Sequence, residues 1–245
     1  MFSFLKSKPY LKDLLGGNYI DIHSHLLPGI DDGAKSISST ERLAKSFQEM
    51  GFSQFITTPH ISHYIWNNAQ DDIITNYKET KLSLEERNIQ IPFQVAAEYF
   101  MDDWFETHFQ NEKLLTLKDN YVLVEMSYMN APVQLYKILF DLQVAGYIPV
   151  LAHPERYLFY HKNFNEYEKL KKSGCFFQLN LLAIAGYYGN EITKIADQLL
   201  KKGMYDFAGT DIHHSDHVAA FNQKIKIENI SAVKEVIANN QFFKF

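Results

Sequence analysis

Cysteine is almost missing from this chain: Cys175 is the only one among 245 residues. An internal disulfide is therefore excluded, and a reducing compartment, the cytoplasm, is the expectation. Arginine is nearly as scarce, with only Arg42, Arg87 and Arg156. No excess of positive charge exists either; the net charge of −5 argues against nucleic acid as the main partner. No apolar run approaches the roughly 18 residues that a membrane span needs, so no membrane insertion is expected. The opening Met1–Pro9 lacks the sustained apolar core of a secretory signal. Linkers, internal repeats and low-complexity stretches are also missing.

What is present is ordinary for a globular protein in bulk, with 46% hydrophobic and 22% charged residues. Fifteen Tyr and 19 Phe supply much of the core volume. The length suits one large domain, expected over residues 19–245, preceded by a lead-in segment of residues 1–18. That segment, running through Gly16-Gly17, reads as a short amphipathic stretch lying on the domain or on a partner.

Strand-like and helical patterns alternate along the chain. Strands are expected at 19–23, 54–57, 92–98, 121–125, 148–152, 176–180 and 206–210. Helices are expected at 38–50, 71–87, 133–145, before Gly174, at 191–202 and at 231–239, several closed by glycine. Residues 101–120 are irregular and read as a helix or a lid-like insertion. Repeated strand–helix units imply parallel strands with right-handed crossovers.

The polar residues discriminate between a barrel and an open sheet. His23 with His25, His60, Glu98, Glu125, His153 and Asp211 all fall at the C-terminal ends of separate expected strands. Those ends converge on one mouth in a barrel, whereas an open sheet would spread them along an edge. The fold class expected is therefore α/β, a barrel related to the eight-stranded TIM barrel. His23 and His25, one residue apart on an extended strand, point to the same side and can grip one ion. A lone strand-end histidine is usually a hydrogen-bonding loop residue; the recurrence of ligand types at one structural position is what points to a multinuclear metal hydrolase.

Charge bookkeeping narrows the substrate. Asp32, Glu98, Glu125 and Asp211 carry four negative charges against six on three divalent ions. The remainder suits a phosphate monoester dianion. Arg42 and Arg87 adjoin Glu41 and Glu86 on expected helices, whereas Arg156 follows His153 at the mouth, where its fork can hold two phosphate oxygens.

The run Asp21-Ile22-His23-Ser24-His25-Leu26-Leu27-Pro28-Gly29-Ile30-Asp31-Asp32-Gly33-Ala34-Lys35-Ser36 resembles the opening motif of the polymerase-and-histidinol-phosphatase (PHP) superfamily. More narrowly, the chain resembles the manganese-dependent bacterial protein-tyrosine phosphatases of capsule and exopolysaccharide operons. Thr57-Thr58-Pro59-His60, Ala97-Glu98, Val124-Glu125-Met126, Leu151 to Tyr157 and Gly209 to His213 match later motifs in order. The resemblance implies a distorted seven-stranded (β/α) barrel of PHP type with a trinuclear site. It places His23, His25, Asp32, His60, Glu98, Glu125, His153, Asp211 and His213 on nine metal-ligand positions, and Arg156 on a phosphate-binding one. It further implies manganese (with iron, zinc or magnesium as alternatives), a phosphotyrosine protein as substrate, and a membrane-associated tyrosine kinase of polysaccharide export as its source. The expected chemistry is in-line attack on phosphorus by a metal-bound hydroxide. Relatives often carry a second arginine just beyond the Asp-x-His motif; here His214-Ser215-Asp216-His217-Val218 stands instead, making His214 and His217 candidates for substrate binding and His217 a candidate proton donor. The catalytic set expected is Arg156, His217 and Asp211.

Other chemistries fit less well. Thiol-based tyrosine phosphatases need an arginine six positions after the cysteine, and Leu181 stands there after Cys175. A phosphate-cradling loop at Gly29 to Ser36 has the wrong spacing and two aspartates. Amidohydrolases commonly place a lysine on a middle strand where this chain has Glu98 and Glu125. A small-molecule phosphatase, such as a histidinol-phosphate phosphatase, and a metal-binding module without catalysis are the alternatives. Tyr64, Trp66, Tyr99, Phe100, Tyr157, Tyr187 and Tyr188 are candidates for a phenol-accepting rim, although most aromatics in so rich a chain are core. His63, His108 and His161 have no expected duty.

Overall fold

A computed structural model describes residues 7–90 and 92–245. The lead-in expected at 1–18 lies partly outside these; residues 7–18 are described and 1–6 are not. Leu11–Leu14 forms a 3-10 turn whose Leu11 and Leu14 are buried. The Leu11 and Lys12 amides donate to the Gln223 and Phe221 carbonyls, so this segment lies on the domain itself.

The elements in chain order are β1 (Tyr19–Asp21), α1 (Ile37–Glu49), β2 (Phe52–Thr57), β3 (His60–Ile61), α2 (Gln70–Glu86), β4 (Phe93–Val95), β5 (Glu98–Phe100), α3 (Asp103–Asn111) and β6 (Tyr121–Glu125). There follow α4 (Leu135–Val144), β7 (Ile148–Ala152), α5 (Asn165–Lys172), β8 (Phe176–Asn180), α6 (Leu181–Ala185), α7 (Asn190–Lys201), β9 (Phe207–Gly209), α8 (Ser215–Ala220) and α9 (Ile230–Asn239). The fold is α/β with parallel sheets, ordered β1-β2-β4 and β3-β5-β6-β7-β8-β9.

Among the described residues nine strands stand where seven were expected. The strand expected at 54–57 stands whole inside β2, with the short β3 added beyond a break at Thr58-Pro59, and the strand expected at 92–98 is cut at Ala96-Ala97. Pro59 has no amide hydrogen to give the ladder, which accounts for the first break. Contact persists across both breaks: the Ala96 amide donates to Thr57 and the Glu98 amide to Pro59. Beyond β1 and β9 the chain stays paired, through the Asp211 amide to the His23 carbonyl at 2.7 Å and the His25 amide to the Ile212 carbonyl at 2.9 Å. The 101–120 stretch is not a lid. Phe105 and Phe109 of α3 are buried, and the Leu114 and Leu115 amides donate to the Tyr147 and Tyr99 hydroxyls.

Alternation along the parallel strands sorts two layers. Leu43, Phe47, Phe55, Val122, Val124, Leu151 and Leu179 belong to the main core between sheet and helices. Ile20, Ile22, Ile56, Leu123, Val150, Phe207 and Phe243 form a second, separate cluster. Asn240 seals that cluster from below, its side chain donating to the Ile20 and Ala208 carbonyls and accepting from the Ala208 amide.

Candidate metal centre

Above the second apolar cluster the same strands end in imidazoles and carboxylates. His23 and His25 lie just past β1, and both are completely buried. Asp21 locks this end of β1 to the end of β9, accepting from the Thr210 amide at 2.9 Å and the Thr210 hydroxyl at 2.5 Å. Burial raises the Asp21 carboxyl to about 7 in spite of these bonds. Two glycines allow the close approach. A Cβ at Gly33 would meet the His25 carbonyl oxygen at 2.2 Å, and one at Gly209 would meet the His23 Cβ at 2.6 Å.

Three overlapping groups of donor atoms result, each with its atoms within 4.8 Å of one another: His23, His25, Glu98 and Asp211; His25, Asp32, His60 and His213; and His60, Glu98 and Glu125. In the first, His23 Nε2 lies 3.2 Å from His25 Nε2, 3.1 Å from Glu98 Oε2 and 3.3 Å from Asp211 Oδ1. In the second, Asp32 Oδ1 lies 3.5 Å from His60 Nε2 and 3.4 Å from His213 Nε2. In the third, His60 Nδ1 lies 3.1 Å from both Glu98 and Glu125. His153, immediately after β7, places Nε2 3.3 Å from Glu98 Oε1 and 4.0 Å from Asp211 Oδ2. All nine expected ligand residues are thus brought together. Two expected placements change: His60 opens β3 and Glu98 opens β5, which runs on to Phe100, rather than ending their strands.

The donor set fits divalent metal. Two histidines facing each other nitrogen to nitrogen inside a buried site have no mutual hydrogen bond when both present lone pairs. The outer ring nitrogens leave Nε2 to the centre: His23 Nδ1 sits 2.9 Å from Gln178 Oε1 and His25 Nδ1 sits 2.8 Å from Asp31 Oδ2, both acceptors. Each ring therefore carries its hydrogen on Nδ1 and aims Nε2 inward. His60 Nδ1 and Glu98 Oε1 are buried without an aligned hydrogen bond, as ligand atoms awaiting an ion would be.

Without an ion the same carboxylates favour a second proton on these rings, which a metal would have to displace. Burial lowers the basicity of His23 and His25, but Glu98, Asp211 and Asp31 outweigh it and raise both. His60 rises to about 9, burial being overcome by Glu125 and Glu98. Burial opposes ionisation of Glu98 and Asp211, yet the surrounding histidines hold both well below the usual carboxylate range. His153 and Asp211 also carry left-handed backbone, with φ of 38° and 53°. Such conformations in non-glycine residues cost free energy and concentrate at functional sites.

Arg156 sits at the lip. Its guanidinium lies 2.6 Å from Asp211 Oδ2 and is flanked by the Tyr128 and Tyr188 rings, with centroids at 4.8 and 4.3 Å. Asn180 braces the same carboxylate at 3.1 Å. Asp32, His60, Trp66, Phe100, Tyr128 and Arg156 border a hollow of about 230 Å³.

Residues 19–229 match the family model described as capsular polysaccharide synthesis, CpsB/CapC. The chain belongs to this family. It is 28% identical over 196 residues to the tyrosine-protein phosphatase YwqE of Bacillus subtilis, covering 80% of this chain and 77% of that one. It is 26% identical over 212 residues to the tyrosine-protein phosphatase CpsB of Streptococcus pneumoniae, covering 84% and 87%. A crystal structure from work on those two proteins, described as unique metal-dependent tyrosine phosphatases, superposes with a TM-score of 0.77 at 25% identity, over 92% of this chain and 88% of that one.

Within this CpsB/CapC member the remaining expected residues divide. His214 is exposed, at the start of α8. His217 is buried behind the centre, its Nδ1 accepting from the His213 amide at 3.2 Å. Burial and the neighbouring His214 lower His217 to about 4. Of the seven candidate rim aromatics, Trp66 and Phe100 border the hollow, while Tyr99 and Tyr157 are fully buried. Tyr128, Asp31, Gln178 and Asn180 were not expected at the site. Asp31 alone had a signal, its place beside Asp32; it is the buried partner of His25, whereas the exposed Asp32 faces the centre.

Proposed function

We propose that the protein is a metal-dependent protein-tyrosine phosphatase acting on a phosphotyrosine protein. The observation that carries this reading is the convergence of nine ligand-type side chains beneath one arginine, in a chain whose relatives are named tyrosine-protein phosphatases. His23, His25, Asp32, His60, Glu98, Glu125, His153, Asp211 and His213 hold three divalent ions, one for each overlapping donor group, with His153 joining from its place beside Glu98 and Asp211. Manganese is the ion that the resemblance implies, and mixed imidazole and carboxylate donors suit manganese, iron or zinc better than calcium, with magnesium as a further substitute. When bound, such ions supply a water of near-neutral acidity and offset the charge of the phosphoryl oxygens.

The chain's own residues do the rest. Arg156 receives two non-bridging phosphoryl oxygens through its fork, and its clamp between Tyr128 and Tyr188 sets its direction before substrate arrives. Trp66, Phe100 and Tyr128 accept the phenyl ring. Asp211 links the two functions, contacting His23 and His25 with one oxygen and Arg156 with the other. We assign His217 to holding the 211–213 turn rather than to proton donation, since a group titrating at about 4 has no proton to give at neutral pH. Water protonates the departing tyrosinate.

We infer further that β2 with β3, and β4 with β5, act as single strands of a closed seven-stranded barrel, one domain over 19–245 with the lead-in as its outer strap. The pairing of His23 to His25 with Asp211 and Ile212 supports closure. Among the described residues no helix is long and apolar enough to cross a membrane. The family's tie to capsular polysaccharide supports a cytoplasmic enzyme whose substrate is a membrane-associated tyrosine kinase of polysaccharide export.

Chelator-stripped protein, assayed on a phosphotyrosyl peptide and on histidinol phosphate with manganese added back, tests the reading. Metal-restored turnover of the peptide alone is expected. Turnover of histidinol phosphate alone would overturn it in favour of a small-molecule phosphatase.

A further inference from the structure

A second hollow, of about 280 Å³, opens beside the metal centre between α1 and the start of α8. His213 borders both hollows and so joins them. The second is bordered by Lys35, Arg42, His214, Ser39, Ser46 and Ser215, with Leu43 and Val218 as its apolar walls. No carboxylate is among its lining residues, although the chain as a whole is acidic.

The two cations facing it are not neutralised. Lys35 Nζ donates to the Asp31 backbone carbonyl at 3.2 Å, and Arg42 donates to the Ser39 hydroxyl at 3.2 Å. Neither has a carboxylate within salt-bridge distance among the described residues, whereas Lys45 of α1 and Arg87 at the end of α2 both pair with Glu41. Ser39 and Ser215 add hydroxyls, while the Ser46 hydroxyl donates to the Arg42 carbonyl at 2.9 Å. A cavity with two uncompensated cations, a histidine and no acid is complementary to an anion.

We propose that this hollow is a substrate subsite for an acidic group on a residue flanking the phosphotyrosine, so that the enzyme selects acidic phosphopeptides. The proposal rests on the phosphatase reading above and extends it to the peptide around the scissile group. Lys35 and Arg42 bind the flanking anion while Arg156 and the metal centre hold the phosphotyrosine. The shared chemistry is an oxyanion, either the carboxylate of a flanking Asp or Glu or the phosphoryl group of a second phosphotyrosine.

The test is kcat/KM on three peptides sharing one phosphotyrosine: neutral flanks, glutamate flanks, and a second phosphotyrosine as flank. Each is referred to a small aryl phosphate that cannot span the two hollows. The wild-type protein is expected to favour an acidic peptide over the neutral one about five- to tenfold at low salt, with the advantage shrinking at high salt. Which acidic peptide leads identifies the source of the anion. Lys35→Gln with Arg42→Gln brings the acidic-to-neutral ratio close to one. Ser46→Glu, which places a carboxylate in the hollow without removing a basic residue, is expected to do the same. A ratio near one in the wild-type protein, or one that survives both variants, overturns the proposal.

Anisotropy of the same peptides, carrying a non-hydrolysable phosphonate in place of phosphotyrosine, separates the two readings. Charge-selective binding without turnover of any substrate would retain the subsite and discard the phosphatase. Turnover without charge selection would do the reverse.

Discussion

The lower and upper ends of the parallel strands are lined with opposite materials. Below, Ile20, Ile56, Leu123, Val150, Phe207 and Phe243 pack without a charge. Above, within two residues of where several of those strands end, stand His23, Glu125, His153 and Asp211, with His25 two residues beyond His23. The lower half gains from burial and has nothing to bind. The upper half buries imidazoles and carboxylates whose mutual attraction only partly offsets their desolvation, and it becomes comfortable only when metal arrives. Stability and chemistry are thereby divided along the strand axis, so substitutions in the two halves should separate cleanly.

The largest effect breaks the upper half. Glu98 belongs to two of the three donor groups, so Glu98→Ala should lose bound metal by elemental analysis and lower kcat/KM at least about a thousandfold. In the lower half, Phe243→Ala removes a ring that is 1% exposed and packs against Phe207 with centroids 4.8 Å apart. A stability loss of about 3–5 kcal/mol by denaturant titration is expected, with metal content per folded molecule retained. If either variant showed the other's signature, the division would fail.

Arg156→Ala sharpens the comparison within the upper half. It should cost about a hundredfold in kcat/KM while leaving metal content intact, because the guanidinium meets substrate rather than metal. Gln178→Ala comes next. It deprives His23 Nδ1 of its acceptor, and a roughly ten- to hundredfold weakening of metal affinity by competitive chelation is expected.

The smallest effect is graded by pH. His60 is raised from 6.5 to about 9, so the metal-free protein favours its protonated form. That contribution to stability is complete below about 6.5 and disappears as pH rises through about 9. A metal ion must displace this proton, so manganese affinity should rise from pH 6 towards 9, with net proton release visible by calorimetry in buffers of different ionisation enthalpy. A flat affinity over that range would show that His60 is not a ligand.

The sequence made the upper half legible because ligand residues recur at strand ends, a pattern that needs no three-dimensional information. His23, His25, Glu125, His153 and Asp211 were placed on that ground alone. Glu98 was assigned to the end of a strand that instead breaks at Ala96-Ala97 and continues to Phe100, because an apolar run cannot show a kink within itself. Gln178 and Asn180 were invisible for another reason: each acts by one hydrogen bond to a ligand that is distant in sequence. Tyr128 lay in a stretch without periodicity and is recognisable only from its position over Arg156.

Anomalous diffraction at the manganese edge from crystals grown with manganese tests the central claim most directly. Peaks enclosed by His23, His25, Glu98 and Asp211, by Asp32, His60 and His213, and beside Glu125 are what the account predicts. Manganese bound elsewhere, with these nine side chains keeping their direct contacts, would contradict it.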